Sequence, residues 1–310
     1  MRSALSRSDI LKVIGTALAC FAGALLGIYL TREAGNIAVL WPPNAILIAV
    51  LLRSETRLWP ACLVAGYLAN FGADIVYGDT VLLSAGLAAS NLSEVVVAAL
   101  LLRLRLGAAF ETSRSLHLTS FFAVAVVAAP LVGASLGASV LSLAFGLDYA
   151  SVWLTWYLAD AFSILCIGTC CLLVSWQGLM DVRKRPGGIA GVAALLLALP
   201  LSYAIFFQTQ LPLFFLVFPI ILVVVFLLGL SWGAVTMLSI TVIATAATVT
   251  GHGPGSVIPD AEMTDRLAFM QFAIGAMMLT VVPLGAMFQA REKDMERVKA
   301  AKAEAERSNA

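Results

Sequence analysis

Residues 151–176 read SVWLTWYLADAFSILCIGTCCLLVSW, and a single carboxylate, Asp160, interrupts this apolar stretch. A second stretch, LLSAGLAASNLSEVVVAALLL at residues 82–102, contains Glu94. Both are long enough to cross a bilayer core as helices, and too long to be strands of a membrane barrel. A charge near the bilayer centre costs at least about 2.5–3.5 kcal/mol, so such acids usually face a cavity, a partner or a relay. We therefore expect Glu94 and Asp160 to mark a functional site.

Composition places the whole chain in the membrane. The 310 residues are 61% hydrophobic and 12% charged, whereas a soluble domain has about 25% charged residues. This predicts an all-α polytopic membrane protein embedded in the lipid bilayer. A net charge of +1 excludes nucleic acid as a partner. The five cysteines lie in apolar segments without a neighbouring histidine pattern, so they predict packing residues and neither a metal nor a cofactor.

Hydropathy predicts about ten membrane spans between a short cytoplasmic N-terminus (1–10) and a cytoplasmic linker (291–310). The membrane domain is therefore residues 11–290. Eight spans is the alternative, because only Gly229 to Trp232 separates the eighth span from the ninth. The predicted spans are 11–30, 37–52, 58–76, 80–102, 117–146, 151–176, 188–207, 211–228, 231–250 and 266–290.

Charge distribution predicts the orientation. If the N-terminus is inside, all 19 Lys and Arg residues except Arg32 and Arg266 lie on the cytoplasmic side. The positive-inside rule favours this arrangement. Since both span counts are even, both termini are expected in the cytoplasm.

The last residues have a different character from the rest of the chain. From Arg291 the sequence reads REKDMERVKAAKAEAERSNA, without Gly or Pro, and predicts that the final membrane helix continues into the cytoplasm. Met295, Val298, Lys302 and Ala305 follow a 3-4-3 spacing, a weak heptad seam. We expect a signalling linker that forms a homodimer. A truncated or stand-alone input module, which lacks its output domain, is the favoured interpretation.

Polar residues within the spans predict a pocket that opens outward. Two consecutive prolines, Pro42 and Pro43, exclude helical geometry at Trp41, and irregular backbone at this depth must line a cavity or be buried in protein. A structural role in helix packing is the alternative for both acids. No catalytic motif is present. The candidate residues for ligand binding or signalling are Trp41, Pro42, Pro43, Asn44, Asn70, Asn91, Glu94, Trp156 and Asp160.

Small residues recur at four-residue spacing in two of the predicted spans. Gly23 and Gly27 form one pair, and Gly133 and Gly137 form the other. Such pairs let helices approach closely. Packing within one chain is the favoured interpretation.

Several short motifs, in this order and spacing, resemble the bacterial membrane-associated sensor domain of the first type, the MASE family. The resemblance extends from about Leu11 to Gln289. It implies an inner-membrane input module of histidine kinases, diguanylate cyclases or phosphodiesterases, which senses a small ligand or a partner membrane protein. The matching motifs are Trp41-Pro42-Pro43-Asn44, Arg57-Leu58-Trp59-Pro60 with Gly66 and Asn70, Asn91 with Glu94, Trp156-Tyr157-Leu158-Ala159-Asp160, and Gly253-Pro254.

The chain also departs from the family pattern inside the predicted pocket. Asn44-Ala45 stands where members commonly have Thr-Gly, and Ser163 stands where they have Gly. The identity of a ligand therefore cannot be transferred. Two other hypotheses remain at this point: a proton-coupled secondary transporter that uses Glu94 and Asp160, and a membrane scaffold that only recruits and dimerises its partner.

Overall fold

The computed structural model of the chain describes residues 6–33, 39–107, 110–112, 114–180, 182, 188–209, 211 and 213–308. Parts of the predicted segment 1–10, the first residues of the predicted span 37–52 and the end of the linker 291–310 lie outside these residues. All regular elements in the described part are helices, which confirms the all-α prediction.

The first seven helices hold the predicted acids. They are α1 (Arg7–Glu33), α2 (Pro42–Leu52), α3 (Trp59–Val76), α4 (Val81–Leu106), α5 (Ser115–Phe121), α6 (Ala129–Phe145) and α7 (Tyr149–Ser163). A π-helical stretch, Phe122–Ala128, joins α5 to α6 just before Pro130, which cannot donate a backbone hydrogen bond. These three elements therefore correspond to one predicted span.

The remaining helices complete a second group. They are α8 (Thr169–Leu173), α9 (Trp176–Met180), α10 (Gly188–Phe207), α11 (Val217–Leu228), α12 (Leu230–Val249) and α13 (Met263–Ser308). A second π-helical stretch, Ile164–Gly168, joins α7 to α8. Gly229 separates α11 from α12 with φ of 86°, a conformation that favours glycine. The predicted break at this point is therefore confirmed.

Seven helices in the described part are long and apolar enough to cross a membrane. The other predicted spans are the short apolar helices that contain α2 and α11, and the 18-residue α3, which carries Asn70 and Asp74. The predicted count of ten is therefore approximate. At about 1.5 Å per residue, the 11 residues of α2 extend about 16 Å, half the thickness of a bilayer core.

Helix α2 lies at the centre of the first group of helices. It packs against α1, α3, α4, α7 and α8, and nine of its 11 residues are buried. Helix α13 packs against α11 and α12 and also reaches α5 and α7. The last helix therefore contacts both the second group and the elements around α2.

Candidate functional site

The N-terminal end of α2 is the irregular point that the two prolines predicted. Pro42 and Pro43 occupy the first turn, and Trp41 before them has φ of −128° and ψ of 84°, outside the helical region. Proline is tolerated in a first turn because the backbone N–H groups there have no partner within the helix. The first buried polar side chain of α2 is Asn44, which directly follows the two prolines.

Asn44 joins α2 to α4 and α7. Its Nδ2 donates to Oδ1 of Asn91 at 3.0 Å and lies 3.5 Å from Oδ2 of Asp160. All three residues are at most 2% exposed. The half-length α2, the full-length α4 and α7, whose π-helical continuation begins four residues after Asp160, therefore meet at one polar contact.

Glu94 lies beside this contact without a partner of its own. It is completely buried and close enough to Asp160 and Asn44 to interact electrostatically with both. Yet neither of its carboxylate oxygens has a hydrogen bond of ordinary geometry to a described residue. A hydrogen bond needs alignment as well as proximity, and the Glu94 oxygens lack that alignment with Asp160 and Asn44. In contrast to Asn44, Glu94 is thus close to its neighbours but unsatisfied.

Glycines make room for the acid and for the two tryptophans. A Cβ added at Gly133 would collide with the Glu94 carboxylate, and one added at Gly137 would collide with the Trp156 ring. Gly27 likewise lies against the Trp41 ring. The small-residue pairs therefore serve packing within the chain, as predicted.

The indole N–H groups of both tryptophans are buried without a hydrogen bond of ordinary geometry to a described residue, although the Trp156 side chain lies within reach of Asp160. Each indole nitrogen can donate one hydrogen bond but accept none. Together with the Glu94 oxygens, they leave both donors and acceptors unused in this part of the bundle. Most buried polar atoms in proteins do have a partner, either protein or ordered water, so this concentration is unusual.

The segment before α2 is held by two residues that were not on the candidate list. Ser163 accepts a hydrogen bond at Oγ from the Trp41 backbone N–H. Gln271 in α13, 7% exposed, donates from Nε2 to the Val39 carbonyl at 2.9 Å. The sequence feature that could have identified Ser163 is its departure from the family glycine. The feature that could have identified Gln271 is its amide within an apolar helix. Its partner, a backbone carbonyl, could not be predicted from the sequence.

Asn70 is a candidate that the structure does not bring into the cluster. Its Nδ2 donates to the Gly66 carbonyl of its own helix at 2.9 Å. No hydrogen bond in the described structure links it to Asn44, Asn91 or the two acids. Asn70 and Asp74, one helical turn apart, are both buried and form a separate polar position on α3.

The cluster is rich in oxygen atoms and poor in positive charge. No Lys or Arg forms a salt bridge with Glu94 or Asp160 in the part of the chain that the structure describes. That part of the chain also contains no group of three or more His, Cys, Asp or Glu side chains suited to a metal ion. Two ionised carboxylates in contact repel each other, so neutralisation by a proton, or a donor supplied from outside the cluster, would change its packing.

Fold and sequence together define a multi-pass, all-α membrane protein. A family model described as MASE1 matches residues 12–292, and the chain therefore belongs to the MASE1 family. This result confirms the resemblance found in the motifs. It supports a sensory input module and gives no support to the transporter hypothesis.

One curated relative is the probable diguanylate cyclase DgcE of Escherichia coli (strain K12). It is 25% identical over 228 residues, which cover 74% of this chain and 20% of the relative. The chain therefore spans about a fifth of that relative's length. No solved structure matches the chain.

Proposed function

We propose that an external or membrane-embedded cue acts on the acid–amide cluster formed by Asn44, Asn91, Glu94 and Asp160. The last helix then transmits the change to a C-terminal output domain such as a histidine kinase or a diguanylate cyclase. Membership of the MASE1 family supports the sensory role, and the similarity to the probable diguanylate cyclase DgcE supports a cyclase as one output. The module itself acts as a sensor, and catalysis belongs to the output domain.

The observation that carries this proposal is the unsatisfied carboxylate of Glu94. A buried polar group without a partner costs about 1–3 kcal/mol, so this packing is costly as long as no donor reaches Glu94. A small ligand, a proton or a polar group of a partner membrane protein would relieve that cost. A cue shifts a conformational equilibrium only when it binds two packings with different affinity, and Glu94 provides such a difference.

The hydrogen bond between Gln271 and Val39 supports the transmission step. The segment that leads into the cluster is fastened to α13, and α13 runs without a break for 46 residues, or about 69 Å. Met295 and Val298 in its distal part are exposed in the single chain. A homodimer through this linker would cover them, and a change in the segment 39–41 would alter their register.

The proposed location is the bacterial inner membrane with both termini in the cytoplasm. The basic residues Arg53, Arg57 and Arg103 come together at one end of the bundle. The positive-inside rule assigns this end to the cytoplasm. The cluster at the other end of α2 is then closer to the external face.

The test is cysteine cross-linking of the linker in native membranes. Variants of the full chain with Met295→Cys or Val298→Cys report the register of the two linkers, because the native cysteines are buried or half-buried. Glu94→Gln and Asp160→Asn act as probes that neutralise each acid. We expect both substitutions to change the relative cross-linking yield at positions 295 and 298.

The control is Glu262→Gln, the same chemical change at an exposed acid, which should leave the yields as they are. A linker that is insensitive to both cluster variants would contradict the proposal and favour the scaffold hypothesis. Concentrative uptake of a solute by proteoliposomes that contain the chain would instead favour a transporter.

A further inference from the structure

The end of α2 opposite the cluster borders a cavity of about 750 Å³. This volume lies within the range of about 300–1,000 Å³ typical of small-molecule sites. The cavity lies between the loop that follows α2 and the last turn of α4. Its polar lining consists of Arg53, Ser54, Glu55, Thr56, Arg57 and Arg103.

The lining carries three guanidinium groups and one carboxylate, that of Glu55. Arg57 is paired with Asp9 at 3.1 Å and with Glu55 at 2.6 Å, so its charge is already balanced. Arg53 is held differently: it donates to the carbonyls of Leu172 and Val174 at 2.8 and 3.1 Å. Those acceptors carry no net charge, so the Arg53 guanidinium keeps its positive charge in the lining.

The arginine side chains are also fixed in orientation. Arg103 donates to the Ser54 carbonyl at 2.9 Å, and its guanidinium lies 5.1 Å from the centre of the Trp59 ring. A stacked, hydrogen-bonded arginine loses little further freedom when it binds an anion. Arg53 uses one terminal nitrogen for both carbonyls and retains further N–H donors.

The positive-inside rule is enough to explain why arginines lie at this end of the bundle. It does not explain why they surround a cavity of this size. Planar guanidinium groups pair with the oxygens of a phosphate group in a two-point geometry, and basic pockets between membrane helices accommodate lipid headgroups. Ser54 and Thr56 add hydroxyl donors to the same lining.

We propose that this cavity binds a phosphate-bearing anion, either the headgroup of an acidic phospholipid or a free phosphate compound. An anion bound there contacts the loop that begins where α2 ends, and it holds the C-terminal end of α2 in place. The proposal does not depend on the function proposed for the cluster of acids.

The test is a calorimetric titration of the full chain in a zwitterionic detergent. The probes are short-chain phosphatidylglycerol, short-chain phosphatidylcholine and inorganic phosphate. We expect phosphatidylglycerol or phosphate to bind and phosphatidylcholine to give no specific signal. Binding of phosphatidylglycerol alone assigns the site to lipid, and binding of inorganic phosphate assigns it to a free anion.

Two variants locate the binding. Thr56→Glu adds a negative charge at an exposed position of the lining and should weaken binding about tenfold or more, because like charges repel at this distance. Arg53→Gln should weaken it as well. The control is Arg114→Gln, which removes an arginine that pairs with Glu111 outside the cavity and should change the affinity by less than about twofold.

Thr56→Glu removes no hydrogen bond found in the described structure, so a folded variant is expected even if Arg53→Gln unfolds. Thermal unfolding of each variant checks this point. Two results would overturn the proposal: no binding of either anionic probe, or equal binding by Thr56→Glu and Arg114→Gln.

Discussion

The two ends of α2 differ in how completely their polar groups are satisfied. At the C-terminal end, Trp59 Nε1 donates to the Leu51 carbonyl at 2.9 Å, and Arg53 binds two carbonyls of the segment that follows α7. At the N-terminal end, Asn44 has partners but Glu94 does not. Both ends of this short helix are held by hydrogen bonds, but the N-terminal end also lies beside a buried carboxylate that has no well-aligned hydrogen bond to a described residue. This difference is the basis of our proposal that a cue acts at the N-terminal end.

The largest expected effect comes from closing the space at the N-terminal end. Gly133→Val would place methyl groups where the Glu94 carboxylate lies, and overpacking of this kind costs about 3 kcal/mol. Unfolding in mixed detergent micelles would measure the loss. Gly15→Val is the matched control, because a Cβ added at Gly15 meets nothing within 4 Å. If the two variants are equally stable, Glu94 is free to move away and the cluster is less tightly packed than described.

The second prediction concerns Glu94 itself. Glu94→Gln keeps the shape of the side chain and supplies an amide donor beside Asp160, so it should raise the free energy of unfolding by about 2 kcal/mol. The same unfolding measurement applies, with Glu262→Gln as the exposed control. A fall in the free energy of unfolding, as large as the predicted rise, would mean that the Glu94 carboxylate already has a partner. The contrast between the two ends of α2 would then disappear.

The third prediction concerns the connection of this end to the last helix. Gln271→Met keeps the volume but leaves the Val39 carbonyl without its donor, at a cost of about 1–2 kcal/mol. The linker cross-linking yields should also change. Gln289→Met, on the same helix, is the control for the loss of an amide. Unchanged stability and unchanged cross-linking would show that the contact between Gln271 and Val39 carries no signal.

The smallest effect is expected at the C-terminal end. Glu55→Gln removes a carboxylate that is 72% exposed and pairs with Arg57, so it should cost about 0.5 kcal/mol. Raising the ionic strength to about 1 M should remove even this difference, because salt screens exposed charges. A larger cost that persists in salt would mean that the loop after α2 depends on this pair.

The sequence predicted the helices well because apolar length and two prolines leave few alternatives. Helix α3 was predicted at 58–76 and lies at Trp59–Val76, and the irregular start of α2 follows from Pro42 and Pro43. Hydropathy could not decide how many helices cross the membrane, because a half-length buried helix such as α2 is as apolar as a full span.

The candidate site was predicted in part. The cost of burying acids identified Glu94 and Asp160, and the family motif placed Asn91 beside Glu94. Spacing cannot say which helix lies opposite, so Asn70 was included although it bonds only to its own helix. For the same reason Gln271 was missed: it lies 232 residues from Val39 along the chain.

The most direct test of the central claim is a double-mutant cycle between Glu94→Gln and Gln271→Met. The claim is that the cluster and the last helix act as one unit through the segment 39–41. Unfolding free energies and linker cross-linking yields would be measured for the parent chain, both single variants and the double variant. We predict non-additivity of about 1 kcal/mol, together with loss of the Glu94→Gln effect on cross-linking when Gln271 is replaced. Effects that add within about 0.3 kcal/mol, with cross-linking changes that also add, would contradict the account.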